Sequence, residues 1–219
     1  DIQYQAMFIC IMETKKLYIE DCLKTLERGL NYDYVATSPP DFDELNKNTK
    51  WSYKDFIESF AKLLDPKGNF VSICISDRKS GGQVVSKHST VTDVFKELGY
   101  GLHTHKIWVK STGIDSMRLN YQHLLTFNRK KQSRPLITEF RPDVFIINQH
   151  KWKNFSYGMS VRIIELLIRN YTDKNNIVYD PFMGSGTTAE ACVNTKRQWL
   201  GSEIDKEYSN LIKQRIEAL

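Results

Sequence analysis

Patterns typical of buried strands alternate with patterns typical of amphipathic helices along most of this 219-residue chain, and this alternation constrains the fold more than any other feature. Strands that alternate with helices form a mostly parallel sheet with helices on both faces. A chain of this length buries one substantial core, so we predict a single α/β domain over residues 1–219. The β-prone runs cover residues 17–19, 32–37, 69–75, 103–109, 121–127, 177–179 and 198–203, and we expect the runs 103–109 and 121–127 to be paired strands at a sheet edge.

Two loops interrupt the alternation at points where strands end. The run 32–37 leads directly into Ser38-Pro39-Pro40, and consecutive prolines prevent a strand from continuing, so a rigid loop must open there. The run 177–179 leads into residues 180–188, which contain two glycines that allow a ligand to approach the backbone closely. A ligand bound across a parallel sheet lies at the carboxyl ends of the strands, where both loops begin.

The glycine-rich loop differs from the patterns of phosphate-binding sites. A P-loop needs a lysine after its last glycine, and a dinucleotide site usually has a third glycine. Here Thr187 follows Gly186 and no third glycine occurs, so both phosphate sites are disfavoured. Glu203 stands at the end of the next strand, about twenty residues after the loop, where a carboxylate can bind both hydroxyls of a ribose.

Four motifs, taken in this order, resemble those of the amino-methylating DNA methyltransferases of the permuted β type. Glu20-Asp21-Cys22 is similar to the family's G-D-C segment, and Thr37-Ser38-Pro39-Pro40 to its S/D-P-P-aromatic catalytic motif. Residues 180–188 are similar to its F-x-G-x-G cofactor motif, and residues 197–208 to its R-x-W-x-G-x-E-I-x-x-x-Y run. The resemblance implies a Rossmann-like S-adenosylmethionine-dependent methyltransferase fold with circularly permuted motif order. Residues 17–19 would then supply the third strand on the cofactor side.

The resemblance also assigns roles to residues. The residues expected to be catalytic are Ser38, Pro39, Pro40 and Phe42. The Ser38 hydroxyl and the Pro39 carbonyl would accept hydrogen bonds from the N–H groups of an exocyclic amine on a flipped base. Asp41 occupies the fourth motif position, which is aromatic in the family, so either Phe42 takes over the stacking role through a shifted loop or the aromatic platform comes from elsewhere; we favour Phe42. A turn or helix cap is the alternative role for Asp41. The residues expected to bind the cofactor, S-adenosyl-L-methionine, are Asp21, Cys22, Ser156, Asp180, Pro181, Phe182, Gly184, Ser185, Gly186, Thr187, Thr188, Glu203 and Ile204.

Double-stranded DNA is the substrate that the resemblance implies, in a restriction-modification setting. The densest basic and aromatic region lies in a short insertion at about residues 129–156, which we interpret as a target-recognition segment, with a solvated loop as the alternative. In the absence of a large recognition domain, we expect a short target or help from a second subunit in a homodimer. The residues expected to contact DNA are Arg129, Lys130, Lys131, Arg134, Arg141, Lys151 and Lys153.

The target atom is less constrained than the reaction class. A cytosine C5 enzyme needs a cysteine nucleophile after a proline, and no cysteine in this chain follows a proline. Serine at position 38 favours N4 of cytosine, since serine is commoner among the family's N4 enzymes and aspartate among its N6 enzymes. The alternatives are N6 methylation of adenine in DNA or RNA, and a catalytically inactive partner that binds nucleic acid.

Composition adds weaker expectations. The four cysteines are far apart and form no C-x-x-C pair, so we expect neither a metal site nor disulfides, and an intracellular location in cytoplasm or nucleoid. No run of about 18 apolar residues predicts a membrane span. The net charge of +5 suits a polyanionic partner but is too common to identify one.

Overall fold

The computed structural model describes residues 14–41, 51–110, 119–129, 134–148 and 159–219. Ten strands occur in these ranges: β1 Lys16–Tyr18, β2 Tyr34–Thr37, β3 Phe70–Ile75, β4 Arg78–Ser80, β5 Gln83–Val85, β6 Gly101–Val109, β7 Tyr121–Asn128, β8 Val144–Ile146, β9 Ile177–Asp180 and β10 Gln198–Ser202. The α-helices there are α1 Cys22–Leu26, α2 Tyr53–Ala61, α3 Lys87–Glu97, α4 Val161–Tyr171, α5 Thr187–Thr195 and α6 Lys206–Glu217, together with a 3-10 helix at Thr138–Phe140.

The main sheet has eight strands in the order β1-β10-β9-β2-β3-β7-β6-β8. The five strands from β1 to β3 run parallel. β7 is antiparallel to both of its neighbours, and β8 is parallel to β6. The predicted mostly parallel α/β sheet is therefore confirmed. β1 lies beside β10, so the strand near the start of the chain does take the third position on the predicted cofactor side.

Helices cover both faces of the sheet because each presents one apolar face to it. One buried cluster contains Ile163 and Leu167 of α4 with Ile212 of α6. The other contains Phe60 of α2 and Phe95 of α3. Full burial of each such side chain contributes about 1.5–3 kcal/mol, so these two layers hold the strand ends at fixed positions. The three cysteines in the described residues are also buried and unbridged: Cys22, Cys74 and Cys192.

Two elements differ from the sequence-based prediction. The pairing of β6 with β7 is confirmed, but their predicted place at the sheet edge is wrong because β8 lies outside β6. β8 is short, and only its middle residue Phe145 is buried, between exposed Val144 and Ile146. The side chain of Trp108 fastens the segment by donating from Nε1 to the Ile147 carbonyl at 2.7 Å.

The second difference is the β4–β5 hairpin, which the sequence analysis overlooked. Gly81 and Gly82 form its two-residue turn with φ values of 57° and 78°. Such a turn requires positive φ, which glycine adopts without a steric penalty, so the Gly-Gly pair was the available signal. Among the described helices, none has the length and apolar character needed to cross a membrane.

Candidate functional site

Asp180 joins the two loops that the sequence singled out. β2 and β9 are adjacent parallel strands, and Thr37 Oγ1 at the end of β2 donates to Asp180 Oδ1 at 2.6 Å. Thr188 Oγ1 donates to Asp180 Oδ2 at 2.6 Å, and the backbone N–H of Phe182 donates to Oδ1 at 3.0 Å. The loop that begins at Ser38 and the loop 180–188 therefore start from neighbouring strands at the same edge of the sheet.

The environment of Asp180 makes it a positioning residue. The side chain is almost fully buried, and burial raises its pKa while the bonds from Thr188, Thr37 and Phe182 oppose that rise. Three donors satisfy the ionised carboxylate from within the protein. Asp180 and Thr188 therefore hold loop 180–188 in shape, and their predicted contact with the cofactor stays a prediction.

Positive φ values at two glycines form the tight turn before α5. Gly184 has φ 52° and its N–H donates to Glu203 Oε2 at 2.8 Å, while Gly186 has φ 80° and is the N-cap of α5. A Cβ at Gly186 would lie 3.3 Å from Ile212 Cγ1, so the turn is also packed closely against α6. The sequence at this turn thus provides the backbone freedom that a close approach to a ligand requires.

Glu203 follows β10 and faces this loop. Its Oε2 accepts from Gly184 and its Oε1 accepts from the backbone N–H of Asp205 at 2.9 Å. The carboxyl is partly buried, and burial raises its pKa, although both backbone bonds lower it. A carboxylate has about four acceptor positions, so two remain for a ligand with two hydroxyls.

The segment after β1 lies next to this carboxylate, because Tyr18 pairs with Ser202. Asp21 caps α1 by accepting from the N–H of Leu23 at 2.9 Å. Cys22 is buried, which raises the pKa of its thiol to about 12 and keeps it neutral. On the other side of Glu203, Ile204 leaves 69% of its surface exposed. The predicted residues Asp21, Cys22 and Ile204 thus share the edge with Glu203.

Ser185 and Thr187 accept hydrogen bonds from Arg215, a residue that the sequence did not point to. Arg215 of α6 is buried, and its Nη1 donates to the Ser185 carbonyl at 3.0 Å and to the hydroxyls of Ser185 and Thr187 at 3.2 Å each. Its Nε forms an ion pair with Glu190. These hydroxyls therefore tie the cofactor loop to the last helix. A basic residue in an amphipathic helix offers no sequence signal for such a role.

Pro181 and Phe182 connect the loop to the opposite helical layer. Pro181 is buried, and the ring of Phe182 packs against Phe60 and Phe56 of α2 at centroid distances of 5.0 and 5.6 Å. This aromatic group limits how far the loop can move relative to α2. Ser156 lies outside the described residues.

The loop predicted to be catalytic is anchored through Asp41, the position at which the chain departs from the family pattern. Ser38 and Pro40 are partly buried and Pro39 is buried. The Asp41 carboxylate lies 3.0 Å from Nζ of Lys87, the first residue of α3, whose side chain is only 7% exposed. A buried ammonium needs an ionic or hydrogen-bonded partner, so this ion pair fixes the loop against α3. Phe42 lies outside the described residues.

The described arginines that were predicted to contact DNA do not lie at the carboxyl edge of the parallel strands, where Ser38 is. Arg129 follows Asn128, which pairs with Phe70 at the start of β3, so Arg129 is at the amino edge of the parallel strands. Its Nη1 lies 4.0 Å from Asp65, and its guanidinium lies 4.5 Å from the ring centre of Tyr100. Arg129 lies there because antiparallel β7 returns the chain from the carboxyl edge to the amino edge of the parallel strands.

Arg134 and Arg141 are also separated from the catalytic loop. Arg134 Nη2 donates at 3.0 Å to Asp173, which precedes β9 and so lies at the amino edge. Arg141 precedes β8, and its carbonyl accepts from Lys106 Nζ at 3.3 Å. The remaining residues predicted to contact DNA lie outside the described residues: Lys130, Lys131, Lys151 and Lys153.

Other basic side chains do lie at the carboxyl edge. The β4–β5 hairpin follows β3 directly and carries Arg78 and Lys79, with Val84 and Val85 about half exposed. Lys110 follows β6 at the same edge, and its Nζ donates to Ser76 Oγ at 3.0 Å. The hairpin therefore forms a basic, partly apolar surface beside the loop that contains Asp41. Arg78 Nη1 itself lies 4.0 Å from the Asp41 carboxylate.

Comparison with known proteins agrees with this arrangement. Residues 128–214 match a family model described as DNA methylase, of the N6 and N4 methyltransferases. The orphan methyltransferase M.BamHII of Bacillus amyloliquefaciens is 24% identical over 84% of this chain and 88% of its own length. The type II methyltransferase M.BglII of Bacillus subtilis is 24% identical over 83% of this chain and 62% of its own length.

Solved structures share the fold. The M1.HpyAVI–SAM complex superposes with a TM-score of 0.72 over 92% of this chain and 98% of its own, at 24% identity. The cytosine-N4-specific PvuII DNA methyltransferase superposes with a TM-score of 0.79 over 91% of this chain and 85% of its own, at 18% identity. The motifs assembled at one sheet edge, the family model that matches residues 128–214 and the relatives found along most of the chain thus agree that this protein is similar to the amino-methylating DNA methylases.

Proposed function

We propose that this protein is an S-adenosylmethionine-dependent DNA methyltransferase that methylates N4 of cytosine in a base flipped out of the duplex. The observation that carries the proposal is the hydrogen bond from Thr37 to Asp180. It links the end of β2, directly before Ser38, to the start of the glycine-rich loop. An acceptor for the base amine and a cradle for the methyl donor then face the same space.

The residues after β9 and β10 suit S-adenosylmethionine. The carboxylate of Glu203 keeps acceptor positions for two ribose hydroxyls. Asp21 and Ile204 lie at the same sheet edge as Glu203, and Asp21 is proposed to be near the adenine of the cofactor. The N-terminus of α5 directs backbone N–H groups toward the loop. When bound, S-adenosylmethionine supplies a methyl group already activated by a positively charged sulfur. Ser156 is proposed to bind its methionine carboxylate.

Ser38 and Pro39 are proposed to prepare the amine. The lone pair of an exocyclic amine is delocalised into its ring, so the nitrogen attacks poorly until its N–H bonds are held out of the ring plane. The Ser38 hydroxyl and the Pro39 carbonyl can each accept a hydrogen bond from one N–H group of the amine. The two prolines and the Asp41–Lys87 ion pair keep both acceptors in place. The amine is positively charged once it is methylated, and it then loses its proton to water.

The preference for cytosine N4 is supported by Ser38, the residue type commoner among N4 enzymes of this family, and by the likeness in fold to a cytosine-N4-specific enzyme. The same two acceptors would serve the N6 amine of adenine. The two substrates differ in the product, so digestion of methylated DNA to nucleosides distinguishes them.

The test uses labelled methyl transfer to mixed-sequence DNA, followed by nucleoside separation. We expect N4-methylcytosine, and we expect Ser38→Ala to lower the transfer rate by about 10²-fold or more, as for removal of one preorganised polar contact to a reacting group. Ser59→Ala is the matched control, because Ser59 Oγ donates to a backbone carbonyl within α2. A wild-type rate for Ser38→Ala would remove the acceptor role, and N6-methyladenine as product would overturn the base assignment.

DNA is proposed to approach the carboxyl edge, with the β4–β5 hairpin beside the flipped base. We expect Lys79→Ala to weaken DNA binding and to reduce the steepness with which affinity falls with salt, since each phosphate contact contributes to that slope. Arg129→Ala, at the opposite edge, is the control and should change neither. A larger effect at Arg129 in a fluorescence anisotropy titration would contradict this placement.

A further inference from the structure

A cluster of one carboxylate and three imidazoles lies between β3, α3 and the β6–β7 pair. Asp77 follows β3 by two residues, His88 is the second residue of α3, and His123 and His105 lie on β7 and β6. The chain has five histidines, and three of them meet here although they are far apart in sequence. Such convergence needs a physical reason, because buried imidazoles and carboxylates are costly unless they are satisfied.

The carboxylate of Asp77 is oriented toward two of the rings. Its Oδ1 accepts from the backbone N–H of His88 at 3.0 Å. Its Oδ2 lies 2.7 Å from His88 Nδ1 and 3.4 Å from His123 Nε2. One ligand atom from each of these residues lies within 4.8 Å of the other two.

His123 supplies the observation that points to a ligand. Its side chain is more than nine-tenths buried, and its Nε2 makes no hydrogen bond, since the 3.4 Å approach to Asp77 is close without having hydrogen-bond geometry. Its Nδ1 is 2.8 Å from His105 Nε2. When that Nδ1–H donates to His105, the lone pair on Nε2 faces the Asp77 carboxylate, an arrangement that a cation between them stabilises.

We propose that Asp77 Oδ2, His88 Nδ1 and His123 Nε2 bind a divalent transition-metal ion of the zinc class. Two imidazoles and one carboxylate form a common three-ligand set for zinc, with a fourth position open to water. Ligand atoms about 2.0–2.2 Å from zinc lie about 3.3 Å from one another, within the spread seen here. His105 would be the residue that orients His123, as metal-binding histidines usually donate their second N–H to a neighbour.

Binding requires a small movement of one ring. His88 and His123 stack with centroids 4.0 Å apart, so His88 must turn out of this stack for both nitrogens to point at one ion. His88 is the more exposed of the two, with 26% of its side chain accessible, and can turn with the least loss of packing. The ion would then fasten β3 to α3 next to Lys87, which holds the catalytic loop through Asp41. This role involves no step of methyl transfer and is independent of the proposed function.

The experiment titrates tag-free, chelator-treated full chain with Zn²⁺ by calorimetry and with Co²⁺ by visible absorption. We expect one saturable site with a dissociation constant below about 10 μM, Co²⁺ bands typical of nitrogen and oxygen ligands, and a rise in melting temperature with Zn²⁺. His88→Ala should weaken binding at least tenfold, and His105→Ala about 10–100-fold.

Asp77→Asn tests the carboxylate, and His88→Ala remains informative if that buried substitution impairs folding, because His88 is partly exposed. His103→Gln is the matched control: this histidine lies on β6 outside the cluster and should leave the site intact. Circular dichroism confirms the fold of each variant. Absence of saturable binding, or equal binding by wild type, His88→Ala and Asp77→Asn, would show that the cluster is only a hydrogen-bonded network.

Discussion

Replacing Thr37 by valine removes one donor from the buried carboxylate of Asp180 while keeping nearly the same shape. Thr37 and Asp180 are 1% and 4% exposed, and their hydrogen bond of 2.6 Å connects β2 to β9. A hydrogen bond to a charged group contributes about 1.5–3 kcal/mol, and no water can easily replace it at this depth. We therefore expect Thr37→Val to lower the free energy of unfolding by about that amount and to weaken binding of S-adenosylmethionine.

The pH dependence provides a second readout. Burial raises the pKa of Asp180 above its ordinary value of 3.8, so folding disfavours the ionised form, and this carboxyl makes stability fall as pH rises from 3.8 through the folded pKa. Loss of the Thr37 donor raises the folded pKa further. The deficit of Thr37→Val should therefore be complete above the folded pKa and shrink as pH falls through it.

Urea unfolding at several pH values measures both effects. Thr195→Val is the control, because Thr195 Oγ1 makes a bond of equal length, 2.6 Å, to the neutral carbonyl of Ala191 within α5. That control should change stability by no more than about 0.5 kcal/mol. A Thr37→Val deficit below about 0.5 kcal/mol, or one that is the same at every pH, would refute the argument that this hydroxyl supports an ionised carboxylate.

Two further predictions follow from the same edge of the sheet. Lys87→Met and Asp41→Asn should each lower kcat by about tenfold or more with little change in KM for the cofactor, whereas Lys87→Arg should retain most of the wild-type rate. Additive effects in the Lys87→Met, Asp41→Asn double variant would show that the ion pair does not hold the loop. Glu203→Gln should weaken S-adenosylmethionine binding by about 10–100-fold. Because burial raises the pKa of Glu203 above 4.5, wild-type affinity should fall as the pH is lowered through that raised pKa, and this fall should be absent from the variant in a calorimetric pH series.

The sequence predicts the parallel part of the sheet well because strands buried on both faces have continuous apolar runs and end in clear breakers. Ser38-Pro39-Pro40 after β2 and the glycines after β9 mark the two loops without any knowledge of the fold. Their meeting at one edge follows from the direction of parallel strands. The role of Asp180 in joining the two loops cannot be predicted from the sequence, because a buried carboxylate and an exposed one have the same local sequence pattern.

The sequence is least informative where the chain reverses direction or where distant residues meet. Arg129 is in the most basic stretch, but antiparallel β7 places it at the edge opposite Ser38. The basic β4–β5 hairpin, at the edge where Ser38 lies, has only six strand residues and a Gly-Gly turn as signals. Asp77, His88 and His123 share no spacing that resembles a metal motif, because three separate elements bring them together.

The bond between Thr37 and Asp180 spans 143 positions of the chain, and β2 pairs with β9 in the middle of the sheet. A contact between such distant segments closes a long loop, and its entropic cost is met only when most of the sheet has assembled. A partly folded chain in which only one of these strands is in place would therefore lack the proposed S-adenosylmethionine site. Appearance of S-adenosylmethionine binding during refolding should coincide with the slowest phase that completes the sheet, which makes the ligand a kinetic probe of this final step.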